Sequence, residues 1–208
     1  ISENSEGNEL LKYAASRPEV AIVVPNEDVK DELNFIDEWG RVFTVDEIKG
    51  LQYDAIICYK FSSAREKRWQ DIFSKRCQYK LRYHYDLNLL YTAISRARKD
   101  LVFYEEKIGK GDMLIEKLRP YLEENAEKIM NFSMPQKKDW LKEANRLELS
   151  GNYTQAKKIY EKLNNKEGVK RCNIEHENNQ KLFESKVDAL FNLNKMNTTL
   201  RIEDEKPL

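Results

Sequence analysis

Val20-Ala-Ile-Val-Val24 is apolar at all five positions and is stopped by Pro25. Such a run reads as a strand buried on both faces, as the strands of a parallel sheet are. Arg41–Val45, Ala55–Phe61 and Leu101–Tyr104 are further strand-like runs. Between them, Asn26–Ile36 places Val29, Leu33 and Ile36 at helical spacing, and Leu87–Arg98 reads as a helix. A short helix is expected at Asn8–Ser16. Strands alternating with helices favour an α/β fold with a parallel sheet.

After Gly109-Lys-Gly111 the character changes. Met113–Met130 reads as one or two helices interrupted at Pro120, and Met134-Pro135 as a linker. Beyond Lys138 strand signals vanish. Trp140, Ala144 and Leu147, then Gly151-Asn-Tyr153, then Ala156, Tyr160 and Leu163 spell a helix, a turn and a second helix. Val169–Leu193 reads as a degenerate second hairpin and Thr198–Leu208 as a frayed tail. The expected division is 1–132 for the sheet domain and 136–208 for the helical region.

With 208 residues the chain has room for one to two domains. Its 36 Lys+Arg balance 36 Asp+Glu, so any nucleic-acid contact must come from a local patch, not from net charge. Cys58, Cys77 and Cys172 are widely spaced, no C-x-x-C occurs, and His84 and His176 are the only histidines. A disulfide framework or a zinc site is not expected, and a reduced, intracellular compartment (cytoplasmic or nuclear) fits better. No apolar run approaches the roughly 18 residues that span a bilayer. The start, Ile-Ser-Glu-Asn, is neither a signal peptide nor an initiator Met, so the chain reads as a piece of a longer polypeptide.

Two stretches carry candidate chemistry. Thr44–Asp54 is a strand end followed by a polar loop with Lys49-Gly50. Such a loop is expected at the carboxyl edge of the sheet, where open α/β folds bind ligands. Lys49 would supply a point charge, and Gly50 close backbone approach. In Tyr91-Thr-Ala-Ile-Ser-Arg-Ala-Arg98, Arg96 ends a helix and is followed at once by a strand. A guanidinium there either complements the helix C-terminus or leans across a cleft toward a phosphate. Val42–Glu47 imitates a Walker B strand, but none of the seven glycines opens the G-x-x-x-x-G-K-[ST] that such a strand accompanies.

Together and in this order, the two stretches resemble motifs V and VI of the UvrD/Rep-type superfamily 1 helicases, T-x-H-x-x-K-G-L-E-[FY]-[DP] and Y-x-A-[LI]-[ST]-R-A-[RK]. The resemblance covers about residues 18–106 and implies the later part of a second RecA-like domain of the P-loop NTPase type. It implies that Arg96 is the arginine finger. Lys49, Gly50, Gln52, Tyr91 and Arg98 fall at nucleotide-side positions, and Thr44 and Asp46 face a single nucleic-acid strand. ATP and Mg²⁺ would be held in the longer protein, jointly with a first RecA-like domain that this chain lacks. The chain alone should therefore not hydrolyse ATP. Two positions depart from the pattern: Asp46 stands where His is usual, and Gln52 where Glu is. Only 17 residues separate Val24 from Val42, leaving no room for the family's large inserted subdomain.

Seven Lys/Arg lie between Arg65 and Arg82, interleaved with Trp69, Phe73 and Tyr79. Arg65, Arg68 and Trp69 are candidates for phosphate contact and base stacking on single-stranded DNA or RNA. The same spacing also makes an amphipathic helix with Trp69, Ile72, Phe73 and Arg76 on one face. The hairpin after Lys138 resembles a tetratricopeptide repeat. That implies a surface for a protein partner, or a cap leaning on the sheet domain, since single repeats bury their faces against neighbours. A degenerate helicase-like module in a non-catalytic scaffold and an unrelated α/β domain remain the alternatives.

Overall fold

The computed structural model describes residues 5–74, 80–106, 112–122 and 133–203, with side chains at 7–74, 84–106, 112–122 and 133–192. Helix α1 (Ser5–Ala15) leads into β1 (Val20–Val24), α2 (Glu27–Asp31), β2 (Val42–Thr44) and β3 (Tyr53–Tyr59). A 3-10 turn at Ser63–Arg65 opens α3 (Glu66–Phe73). Then come α4 (Lys80–Ile94), β4 (Ala97–Tyr104), α5 (Met113–Leu118), α6 (Lys137–Leu149), α7 (Tyr153–Lys162) and α8 (Lys166–Glu203). The fold is mixed α/β. Its four-stranded sheet has the order β2-β1-β3-β4, and every described pairing is parallel.

Alternation along β1 explains the wholly apolar run. Val20, Ile22 and Val24 face a core with Leu11, Ala14, Leu33 and Ile36, so α1, α2 and the turns after α2 cover one side. Ala21 and Val23 face the other side, with Phe43, Ile56, Trp69 and Leu90. Trp140, Ala144, Leu147, Ala156 and Tyr160 join this second core. The helical hairpin therefore does not stand apart from the sheet but packs on one of its faces. The Met134-Pro135 segment is coil.

Several boundaries differ from the sequence reading. Pairing with β3 draws Ala97 and the charged residues Arg98–Asp100 into β4, so Arg98 lies on a strand and α4 ends at Ile94. The expected second hairpin is one continuous helix, α8. No Gly or Pro lies between Gly168 and Pro207 to break it. For the same reason the helix continues to Glu203, through residues read as a frayed tail. The interruption expected at Pro120 is present: α5 gives way there to a 3-10 turn, Arg119–Tyr121, and residues 123–132 lie outside the described residues. Arg76 and Tyr79 also lie outside them.

Candidate functional site

Thr44 ends β2 at the carboxyl edge, and the next eight residues cross a face of the sheet to reach Tyr53 at the amino end of β3. Val45, Ile48 and Leu51 are buried, and the Ile48 N–H donates to the Thr44 carbonyl at 3.1 Å, so the crossing is compact. Gly50 has φ +81°, the left-handed region that favours glycine, with open space where a Cβ would stand. The expectation of a carboxyl-edge loop therefore holds only where the loop begins. Its far end is delivered to the amino edge, because a parallel pair requires the chain to return the full length of the sheet.

There it meets Arg96. The Tyr53 N–H donates to the Arg96 carbonyl at 2.9 Å, and Arg96 Nη1 reaches the Leu51 carbonyl at 3.5 Å. Arg96 Nε donates to the Thr92 carbonyl at 3.1 Å, and Nη2 to the Ser95 hydroxyl at 2.9 Å. The half-buried guanidinium complements the end of α4, where carbonyls lack helical partners. Tyr91, on the same helix, is 68% exposed. Arg98 lies 3.8 Å from Asp54, which Lys99 also contacts at 2.7 Å.

The other candidates are spread out. Lys49 pairs with Asp46 at 2.6 Å, both exposed. The Thr44 N–H and hydroxyl donate to Glu47, whose carboxylate also takes Lys30 at 2.5 Å and Gln155 at 2.8 Å. Glu47 thus acts as a structural acceptor. Burial works against its charge, but these bonds outweigh it and hold the carboxyl below its usual value. Gln52 is exposed, while its carbonyl accepts from Arg146 Nη1 at 2.7 Å.

The basic segment is more structural than its composition implies. Trp69 is 1% exposed, and its indole N–H donates to the Phe61 carbonyl at 2.8 Å. That corrects its reading as a stacking platform for bases, since the ring is core. Arg65 and Arg68 converge on buried Asp86 of α4, and Arg65 also donates to the Pro25 carbonyl at 3.2 Å. Arg65 is mostly covered, whereas Arg68 is exposed.

A buried polar cluster escaped the sequence reading. Arg41, 0% exposed, donates to Glu143 at 2.8 Å and to the Val20 carbonyl at 3.1 Å. Glu143 also accepts from the Tyr53 hydroxyl at 2.9 Å and from Arg146 at 2.8 and 2.9 Å. Burial opposes the Glu143 charge, yet the two arginines hold its carboxyl below the usual range. Burial pushes the Tyr53 phenol up to about 12. The cluster ties α6 to the amino edge beside Leu51 and Arg96. One signal was available: Glu143 sits on the face shared by Trp140, Ala144 and Leu147, where an acid needs a partner. That partner, Arg41, is a hundred residues away.

Among the described residues no group of three or more His, Cys, Asp or Glu is placed to hold a metal ion, and no helix is long and apolar enough to cross a membrane. No family model matches the sequence, and comparisons with curated proteins and with solved structures return no significant match.

Proposed function

We propose that this chain is the later part of a second RecA-like domain of a superfamily 1-type, nucleic-acid-dependent ATPase, followed by a tetratricopeptide-like hairpin. One observation carries the reading: the motif V-like and motif VI-like stretches meet directly at Leu51–Tyr53 and Arg96, Leu51 and Arg96 being 45 residues apart. Chemical coupling between a strand-contacting loop and an arginine finger needs such contact.

The residues present fit one side of a nucleotide site. Arg96 offers a planar, permanent charge whose present partners are neutral carbonyl and hydroxyl oxygens. A polyphosphate is a stronger acceptor than any of these. ATP with Mg²⁺, bound mainly by a first RecA-like domain, would supply the phosphoryl group. On this side Arg96 would stabilise negative charge on it. Moving Arg96 releases its hold on Leu51, which offers a route from nucleotide state to the Thr44–Gln52 loop. Of the basic candidates for strand contact, Arg68 and Lys49 are exposed and would face a DNA or RNA strand.

The scaffold alternative draws on the same geometry, because an arginine satisfied by its own helix end does not need a nucleotide. ATP hydrolysis by the longer polypeptide, with and without single-stranded DNA and RNA, separates the two. Strand-stimulated turnover that falls by on the order of 10³-fold in Arg96→Ala supports the finger. Normal turnover in that variant overturns the role of Arg96. A folded protein without turnover under every condition favours the scaffold.

A further inference from the structure

A hollow of about 490 Å³ lies where the end of α1, the 133–136 coil, the start of α6 and the end of α7 converge, away from the contact between Leu51 and Arg96. Its volume falls within the range of small-ligand sites. Trp39 and Trp140 both line it, half-buried Trp39 stacked on buried Trp140 with ring centres 4.2 Å apart, so a packed pair of indoles forms part of the wall. Arg17 lines it too and is 6% exposed. This buried cation has no carboxylate partner among the described residues. Its Nη1 donates to the Ser16 hydroxyl at 3.1 Å and to the Ser16 carbonyl at 3.3 Å. Its Nη2 donates to the thioether of Met134 at 3.3 Å, its Nε has no hydrogen-bond partner, and the guanidinium lies over the Tyr13 ring, 4.3 Å from its centre. A buried guanidinium normally finds a charged acceptor, because an unpaired buried charge is costly. The Nε–Nη2 edge is the fork that takes two oxygens of a phosphate or carboxylate. Met134 covers that edge with a weak acceptor on an 80% exposed side chain. Lys137, exposed at the start of α6, adds a second cation to the rim. Lys162 is a third, offset by Glu38 at 2.6 Å.

The geometry points to an organic-phosphate site in this hollow: a flat ring against Trp39, and the phosphate on Arg17 and Lys137 after Met134 swings aside. A phosphate suits the fork and Lys137 together, and a flat ring suits the indole wall. This inference is independent of the reading given for Arg96.

Calorimetric titration of the whole chain with AMP tests it, beside adenosine, inorganic phosphate and a tetraglutamate peptide. AMP is expected to bind saturably, about tenfold or more tighter than adenosine or phosphate alone. Arg17→Gln and Lys137→Glu should each weaken AMP by about tenfold. Met134→Ala should tighten it by uncovering the fork. Lys137 is exposed, so its variant keeps the test meaningful if Arg17→Gln does not fold. Arg96→Ala should leave binding unchanged, which separates this hollow from the proposed nucleotide side. Any of four results overturns the inference: no saturable AMP binding, adenosine binding equal to AMP, affinity indifferent to Lys137→Glu and Met134→Ala, or tetraglutamate binding in place of AMP.

Discussion

Replacing Glu143 by Leu removes the acceptor at the centre of four charged or phenolic hydrogen bonds, from Arg41, from Tyr53 and twice from Arg146. Arg146 tolerates this, since its side chain is one-third exposed and keeps the Gln52 carbonyl. Arg41 does not. It is fully buried, one of its amino groups already lacks a hydrogen-bond partner, and beside the Tyr53 and Phe43 rings only the Val20 carbonyl would remain as an acceptor. Breaking a buried pair from one side costs about 3–5 kcal/mol. At this chain length each kcal/mol moves Tm by about 2–4 °C, so the drop should be roughly 6–20 °C. Thermal unfolding measures the Tm drop and urea unfolding the free energy, each followed by tryptophan fluorescence and far-ultraviolet circular dichroism, with the Trp39–Trp140 stack reporting on the seam between α6 and the segment before β2. The double variant Arg41→Met/Glu143→Leu removes the orphaned charge. It leaves mainly the Tyr53 hydroxyl unsatisfied, at about 1–3 kcal/mol. The double variant should therefore be more stable than Glu143→Leu alone. A single-variant loss below about 1 kcal/mol, or a double variant no better than the single, would refute the claim that this pair locks the hairpin to the sheet.

The Glu143 and Glu47 carboxyls are held below their usual values, so the stability they contribute is present above about pH 4.5 and lost as pH falls through their lower folded values. Acid unfolding should be steeper in the unmodified protein than in Glu143→Gln, and equal slopes would count against the linkage. Gly40 has φ +62°, and a Cβ there would stand 2.8 Å from the Gln155 carbonyl oxygen and 2.9 Å from its Cα. Gly40→Ala should cost at least about 1–2 kcal/mol from backbone conformation alone, with more from the clash against α7, as read by thermal unfolding. Trp69→Ala should cost about 3–5 kcal/mol as a core truncation. A stable Trp69→Ala protein with weakened single-strand binding would instead restore the stacking role.

The sequence by itself determined the local units and their kind. Val20–Val24 read as a strand covered on both sides, and the first two helices beyond Lys138 followed from their spacing. Trp69, Ile72 and Phe73 announced a packed face as clearly as their basic neighbours announced charge. It also placed Arg96 between a helix and a strand. Those are short-range properties, written in period and chain direction. Only the tertiary structure decided which sheet edge the Lys49–Gln52 segment reaches, because that depends on strand order and on the return path of a parallel pair. It alone paired Arg41 with Glu143, set Trp39 on Trp140 and left Arg17 without a carboxylate, since each contact joins residues that no local pattern relates. Even α8 depended on what was missing, a breaker between Gly168 and Pro207, whereas its neighbours were set by what was present. A buried charge shows in a sequence only as an odd letter on an apolar face. Its partner becomes legible when the chain has folded and the low dielectric makes an unpaired charge too costly to keep.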